Sequence, residues 1–121
     1  KTLASWLLGA QKIVEFNDGE NYSFVFQNAK YTAITDIRSV SIGDKGELIK
    51  FTNLIDSLMN KVVLEKGERQ SYPIGDGRLS LTKSLGVNTV RVWSKNDLGY
   101  TSLNKGHVKK LRKVLAKLED N

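Results

Sequence analysis

The chain has 121 residues, enough for one domain with a core of its own and too few for two independent ones. It is 40% hydrophobic and 26% charged, which excludes disorder; with no cysteine and one histidine it has no disulfide framework, thiolate nucleophile or two-histidine metal site. Its net charge of +6 is lopsided: residues 1–60 carry 6 basic against 7 acidic side chains, residues 61–121 carry 13 against 6. A basic half of this kind points to nucleic acid as a partner.

Residues 3–10 are mostly apolar, with Trp6 in their middle, and read as a short packed helix or strand rather than a secretory leader. Residues 12–16 and 22–27 are β-rich and flank the turn signal Asn17-Asp18-Gly19. Residues 31–42 form a longer β-branched stretch closed by Gly43-Asp44-Lys45-Gly46, and residues 47–51 suit a fourth strand. From Thr52 the pattern turns helical: Leu54, Ile55, Leu58, Met59 and Val62 predict a helix over 54–66, stopped by Gly67.

The plan then repeats. Residues 71–74, 78–85, 89–94 and 100–103 predict four strands, separated by turns at Gly75-Asp76-Gly77, Gly86-Val87-Asn88 and Asn96-Asp97-Leu98-Gly99. Asn104 caps a helix anchored by Val108, Leu111, Leu115 and Leu118. A shift of 53 residues carries Ile37-Arg38 onto Val90-Arg91, Gly46 onto Gly99, and Ile55, Leu58 and Val62 onto Val108, Leu111 and Leu115. Two ββββα repeats, 11–67 and 71–120, within one compact domain are the expectation.

The second repeat carries Tyr72-Pro73-Ile74-Gly75, then Arg78-Leu79-Ser80-Leu81, then Thr89-Val90-Arg91-Val92-Trp93, then Gly99, Ser102-Leu103-Asn104 and the helix anchors Val108 and Leu111. As an ordered set over about 47 residues, this resembles the DNA-binding domain of the transcriptional positive cofactor four family. Thr89 stands where that family has aspartate, and one extra residue lies between Gly99 and Ser102. The first repeat keeps Asp36-Ile37-Arg38 literally and little else. Family members pair as homodimers, so two copies in one chain imply a fused pseudo-dimer. Whirly and Pur-alpha proteins are similar in plan, and all three groups imply single-stranded nucleic acid bound on the sheets.

Strand alternation puts Thr89, Arg91 and Trp93 on one face and Val90 and Val92 on the other. Arg78 shares the outward parity of its strand with Ser80 and Thr82; Lys83 falls on the leucine parity and reaches solvent only from a bulge or strand end. Arg supplies phosphate neutralisation and Trp a flat stacking surface. Lys95 fits the rim. In the first repeat the resemblance carries the role to Arg38, with Lys30 and Tyr31 as neighbours, although Asp36 shares the parity of Arg38 and can pair with it. Phe24 and Phe26 read as core, and the lysines of the last helix as a solvated face.

The reading is therefore an α+β chain of tandem ββββα units, an intramolecular pseudo-dimer of antiparallel sheets backed by helices, Whirly-like in fold. Its expected function is binding single-stranded DNA with little sequence preference, in replication, recombination or transcription. No catalysis, cofactor or metal is implied; Asp36 and Glu47 form no paired carboxylate motif. RNA binding and a protein module docking an acidic partner are the alternatives. The expected setting is intracellular, without a membrane, as a monomeric pseudo-dimer or a higher oligomer.

Overall fold

Alternation decides the strands. In residues 21–27, Tyr22, Phe24 and Phe26 are buried while Ser23, Val25 and Gln27 between them are only half-covered, a period of two that fits a sheet packed on one face. The computed structural model describes residues 1–6, 10–30, 34–65, 67–84 and 86–119. Strands β1 (Thr2–Trp6), β2 (Gln11–Phe16), β3 (Asn21–Gln27) and β4 (Ile37–Gly43) form an antiparallel sheet in chain order, followed by helix α1 (Lys45–Asn60). Strands β5 (Arg69–Ile74), β6 (Gly77–Ser84), β7 (Val87–Trp93) and β8 (Tyr100–Leu103) form a second sheet of the same order, followed by helix α2 (Lys105–Glu119). The chain is thus α+β, with two four-stranded antiparallel sheets each followed by a helix.

The two units share one core. Ile13, Phe24 and Val40 from the first sheet join Leu79, Leu81, Val90 and Val92 from the second, with Ile55 and Leu58 of α1 and Leu111 of α2. Helix α1 packs on β3 and β4 and also on β7, while α2 packs on α1 and β1, so each helix leans on the other unit's sheet. Arg112 ties the helices together, donating to Asn53 Oδ1 at 2.6 Å and to Asp56 Oδ2 at 2.7 Å. Gln11 crosses the seam to Thr101 Oγ1 at 2.6 Å, and Ser41 N donates to Asp76 Oδ1 at 2.9 Å. At Gly75 the seam is backbone against backbone: φ is +51°, and a Cβ there would sit 1.6 Å from Ser41 O.

The first unit differs from its sequence reading. It begins at Thr2, since β1 is its first strand, rather than at residue 11. Residues 47–51 are helical, not a fourth strand, and the helix spans Lys45–Asn60 rather than 54–66. The cause is a cap: the Asp44 side chain accepts from Glu47 N at 3.0 Å, so Gly43-Asp44-Lys45-Gly46 opens a helix instead of closing a strand. Leu48 and Phe51 then share the buried phase of Ile55 and Leu58. Of the described residues in 31–42, strand begins at Ile37, and residues 31–33 lie outside the described residues. The second unit begins at Arg69, two residues before the expected start.

The shift of 53 is also corrected. Arg38 lies on the fourth strand of its sheet and Arg91 on the third of its own, so they are not equivalent positions. The helices correspond through their caps, Asp44-Lys45-Gly46 with Asn104-Lys105-Gly106, a shift of 60 (104 − 44). Leu48, Phe51 and Ile55 then match Val108, Leu111 and Leu115, all buried. The two shifts differ by seven residues (60 − 53), about two helical turns, across which an apolar stripe nearly repeats itself.

Candidate nucleic-acid interface

The second sheet buries Leu79, Leu81, Val90 and Val92 completely on its inner face. Register fixes what is left on the outer one. Arg69 pairs with Thr82, Ser71 with Ser80, Arg78 with Trp93, Ser80 with Arg91, Trp93 with Tyr100 and Arg91 with Ser102. Directly paired residues share a face, so three arginines and two aromatic rings gather there with hydroxyl side chains between them.

Four of these side chains form a row across the strands. The Arg78 guanidinium carbon lies 4.6 Å from the centroid of the Trp93 ring, Trp93 lies 4.8 Å from Tyr100, and the Arg91 guanidinium carbon lies 4.7 Å from the Tyr100 centroid. Trp93 Nε1 donates to Ser80 Oγ at 2.9 Å, which fixes the indole above β6. Arg78 is further held by Asp97, through Nε at 2.8 Å and Nη2 at 3.2 Å, and donates to Ser71 Oγ at 3.3 Å. Asp97 projects from the tight turn Lys95–Asp97, where Asn96 and Asp97 adopt positive φ of 60° and 56°. Between this row and β5 runs an open groove of about 570 Å³, which Arg69, Ser80, Thr82 and Arg91 help to line.

The residues singled out from sequence fall into three groups. Arg78, Arg91 and Trp93 come together on the outer face, and Trp93 is half-buried there rather than part of the core. Lys95 is exposed in the turn beside them. Lys83 keeps the leucine parity but sits near the end of β6, exposed and bordering the groove, with Nζ donating to Leu64 O at 3.5 Å. Lys30 is exposed and follows Ala29, whose N–H donates to Tyr100 O at 2.8 Å, so its backbone lies beside β8. Tyr31 lies outside the described residues.

Arg38 is the correction. It pairs in register with Phe26, on the inner parity of the first sheet, and its Cγ would lie 2.8 Å from a Cβ at Gly99. Its Nε contacts Asp36 Oδ2 at 3.2 Å. Hydrogen bonds from Asn28 first, and from Arg38, hold the Asp36 carboxyl below its ordinary range. Arg38 is a seam residue on the inner parity of its own sheet, whereas Arg91 lies on the outer parity of the second. The outer face of the first sheet carries Lys12, Val14, Ser23, Val25 and Ser39, with no arginine among the described residues.

Sequence reasoning missed Tyr100, Arg69 and the partnership of Asp97 with Arg78. The alternation of Tyr100 and Ser102 against buried Thr101 and Leu103 could have found the first. Among the described residues no cluster of His, Asp and Glu could hold a metal ion, and no helix is long and apolar enough to cross a membrane. No protein-family model matches this chain, and no curated protein matches it.

Proposed function

We propose that this protein binds single-stranded DNA across the outer face of its second sheet, with little sequence preference and without catalysis. The observation that carries the reading is the row Arg78–Trp93–Tyr100–Arg91, built on a solvent-facing sheet surface. Cations beside rings on an open sheet suit an unpaired strand, whose phosphates need neutralising and whose bases need a flat neighbour. Both faces of Trp93 have neighbours, so a base joins the row by taking the place of Arg78. That exchange runs from even to favourable: an exposed ion pair is worth ~0–1 kcal/mol and an exposed cation–π contact ~0.5–1 kcal/mol, base stacking ~1–3 kcal/mol. The architecture of two four-stranded antiparallel sheets each followed by a helix is consistent with the same reading, which the sequence resemblance to the positive cofactor four domain suggested.

The first sheet, without arginine on its outer face, would take no part, and one chain would hold one strand. Handling exposed strands inside a cell, in replication, recombination or transcription, is the role that follows. Fluorescence anisotropy with oligo-dT, oligo-rU and duplex DNA tests the proposal. Tight, salt-sensitive binding of oligo-dT with duplex much weaker supports it, and preference for oligo-rU would move it to RNA. No binding of any strand, or binding only of acidic proteins, defeats it.

A further inference from the structure

Resting on that reading, we infer that the groove between β5 and β7 holds a seat for one phosphate group, formed by the Arg91 Nε–H, the hydroxyls of Ser80 and Thr82, and the charge of Arg69. The starting point is Arg91. Its Nε is fully buried and has no hydrogen-bond partner, although its guanidinium is anchored over Tyr100. A buried donor of a charged group without an acceptor is costly, and native structures rarely keep one. The acceptor it lacks is an oxyanion, which reaches Nε once the guanidinium shifts on the Tyr100 ring and which a guanidinium edge matches with two parallel donors.

The surroundings are those of an anion seat. Ser80, directly opposite Arg91, already accepts from Trp93 Nε1, so its own hydrogen remains to be donated. Thr82 presents a second hydroxyl on the same face, and Arg69, paired with it in register, is exposed and makes no ion pair among the described residues. Among the described residues Arg91 makes no ion pair with a carboxylate, whereas Arg78 is already engaged by Asp97. The two arginines therefore divide the work: Arg91 takes the phosphate, and Arg78 guards the ring onto which the adjoining base stacks.

Arg91→Lys separates a shaped seat from a mere charge, because lysine keeps the charge and lacks the planar pair of donors. Affinity for oligo-dT should fall about ten-fold or more, with an unchanged salt slope; Ser80→Ala and Thr82→Ala should each weaken binding without changing the slope. In nitrogen-edited NMR of the native protein, the Arg91 Nε–H resonance should shift on adding inorganic phosphate or thymidine monophosphate. Arg91→Lys binding as tightly as the native protein, or an Nε–H resonance that stays fixed while oligo-dT binds, overturns the seat. A native protein that binds no oligo-dT fails the proposed function instead, and the response of that resonance to inorganic phosphate still decides the seat.

Discussion

Asp97 grips Arg78 with both carboxylate oxygens, at 2.8 and 3.2 Å, and thereby holds the guanidinium across the face of Trp93. A carboxylate in that position competes with a phosphate for the same cation. Asp97→Asn removes the competing charge and is tolerated at positive φ. Affinity for oligo-dT should rise about two- to five-fold at low salt, the range of an exposed ion pair. The salt slope should steepen by ~0.7, the value for one additional phosphate contact. Anisotropy titrations over a salt series check both; weaker binding would mean that Arg78 acts only while Asp97 holds it.

Trp93 is half-buried and outside the core, so Trp93→Ala should cost well under the ~3–5 kcal/mol of a core tryptophan. Binding should lose ~1–3 kcal/mol while the salt slope stays nearly constant, since a ring carries no charge. Urea unfolding and oligo-dT titration of the same preparation read the two effects separately. Full destabilisation with unchanged affinity of the folded fraction would assign the ring to structure alone.

Gly75→Ala should be a stability variant. A side chain at positive φ costs ~1–3 kcal/mol, and displacing Ser41 O adds an overpacking cost of ~1–3 kcal/mol. The expected loss is therefore about 2–6 kcal/mol, with a lower urea midpoint. Gly67→Ala is the control: its φ is also positive, but a Cβ there meets no atom within 4 Å, so it should cost less.

His107 gives the fold a dependence on pH. It is buried, its N–H donates to Asn104 Oδ1, and its Nδ1 accepts from Asn104 N at 3.2 Å, a reciprocal cap on α2. Burial first, and then the charge of Lys110, pushes its pKa below the ordinary value of 6.5. A depressed folded-state pKa means that the unfolded chain takes up its proton first as the pH falls. The stabilisation is fully present above about pH 6.5 and declines as the pH drops from there through the folded-state pKa. His107→Gln keeps a capping side chain and cannot titrate, so it should flatten the urea midpoint against pH in that window. Native and variant curves with the same slope would remove His107 from the account.

The second unit was legible because its strands alternate strictly. Leu79 and Leu81, Val90 and Val92 mark one face, and that parity alone delivers Arg78, Arg91 and Trp93 to the other. In the first unit the decisive signal was small. Asp44 and Glu47 stand three apart, as a helix cap requires, but two flanking glycines make the same residues look like a turn. Missing that cap displaced the helix and let a seven-residue slip pass as a repeat, which carried the role of Arg91 onto Arg38. The hold of Asp97 on Arg78 depends on two successive residues at positive φ. Strand parity says nothing about such a turn.

The contact of Gly75 with Ser41 bears on how the surface meets a ligand. Side chains adapt by changing rotamer, but two backbones touching without a Cβ between them have no such freedom. At this point the seam is main chain against main chain, and β5 and β6, which flank Gly75, are held beside it. On the proposed reading the binding sheet is preorganised, so the entropy lost on association falls mainly on the nucleic acid. Single strands that are already extended and unstacked should then be preferred over stacked purine runs, for a reason residing in the strand rather than in any contact that reads its bases.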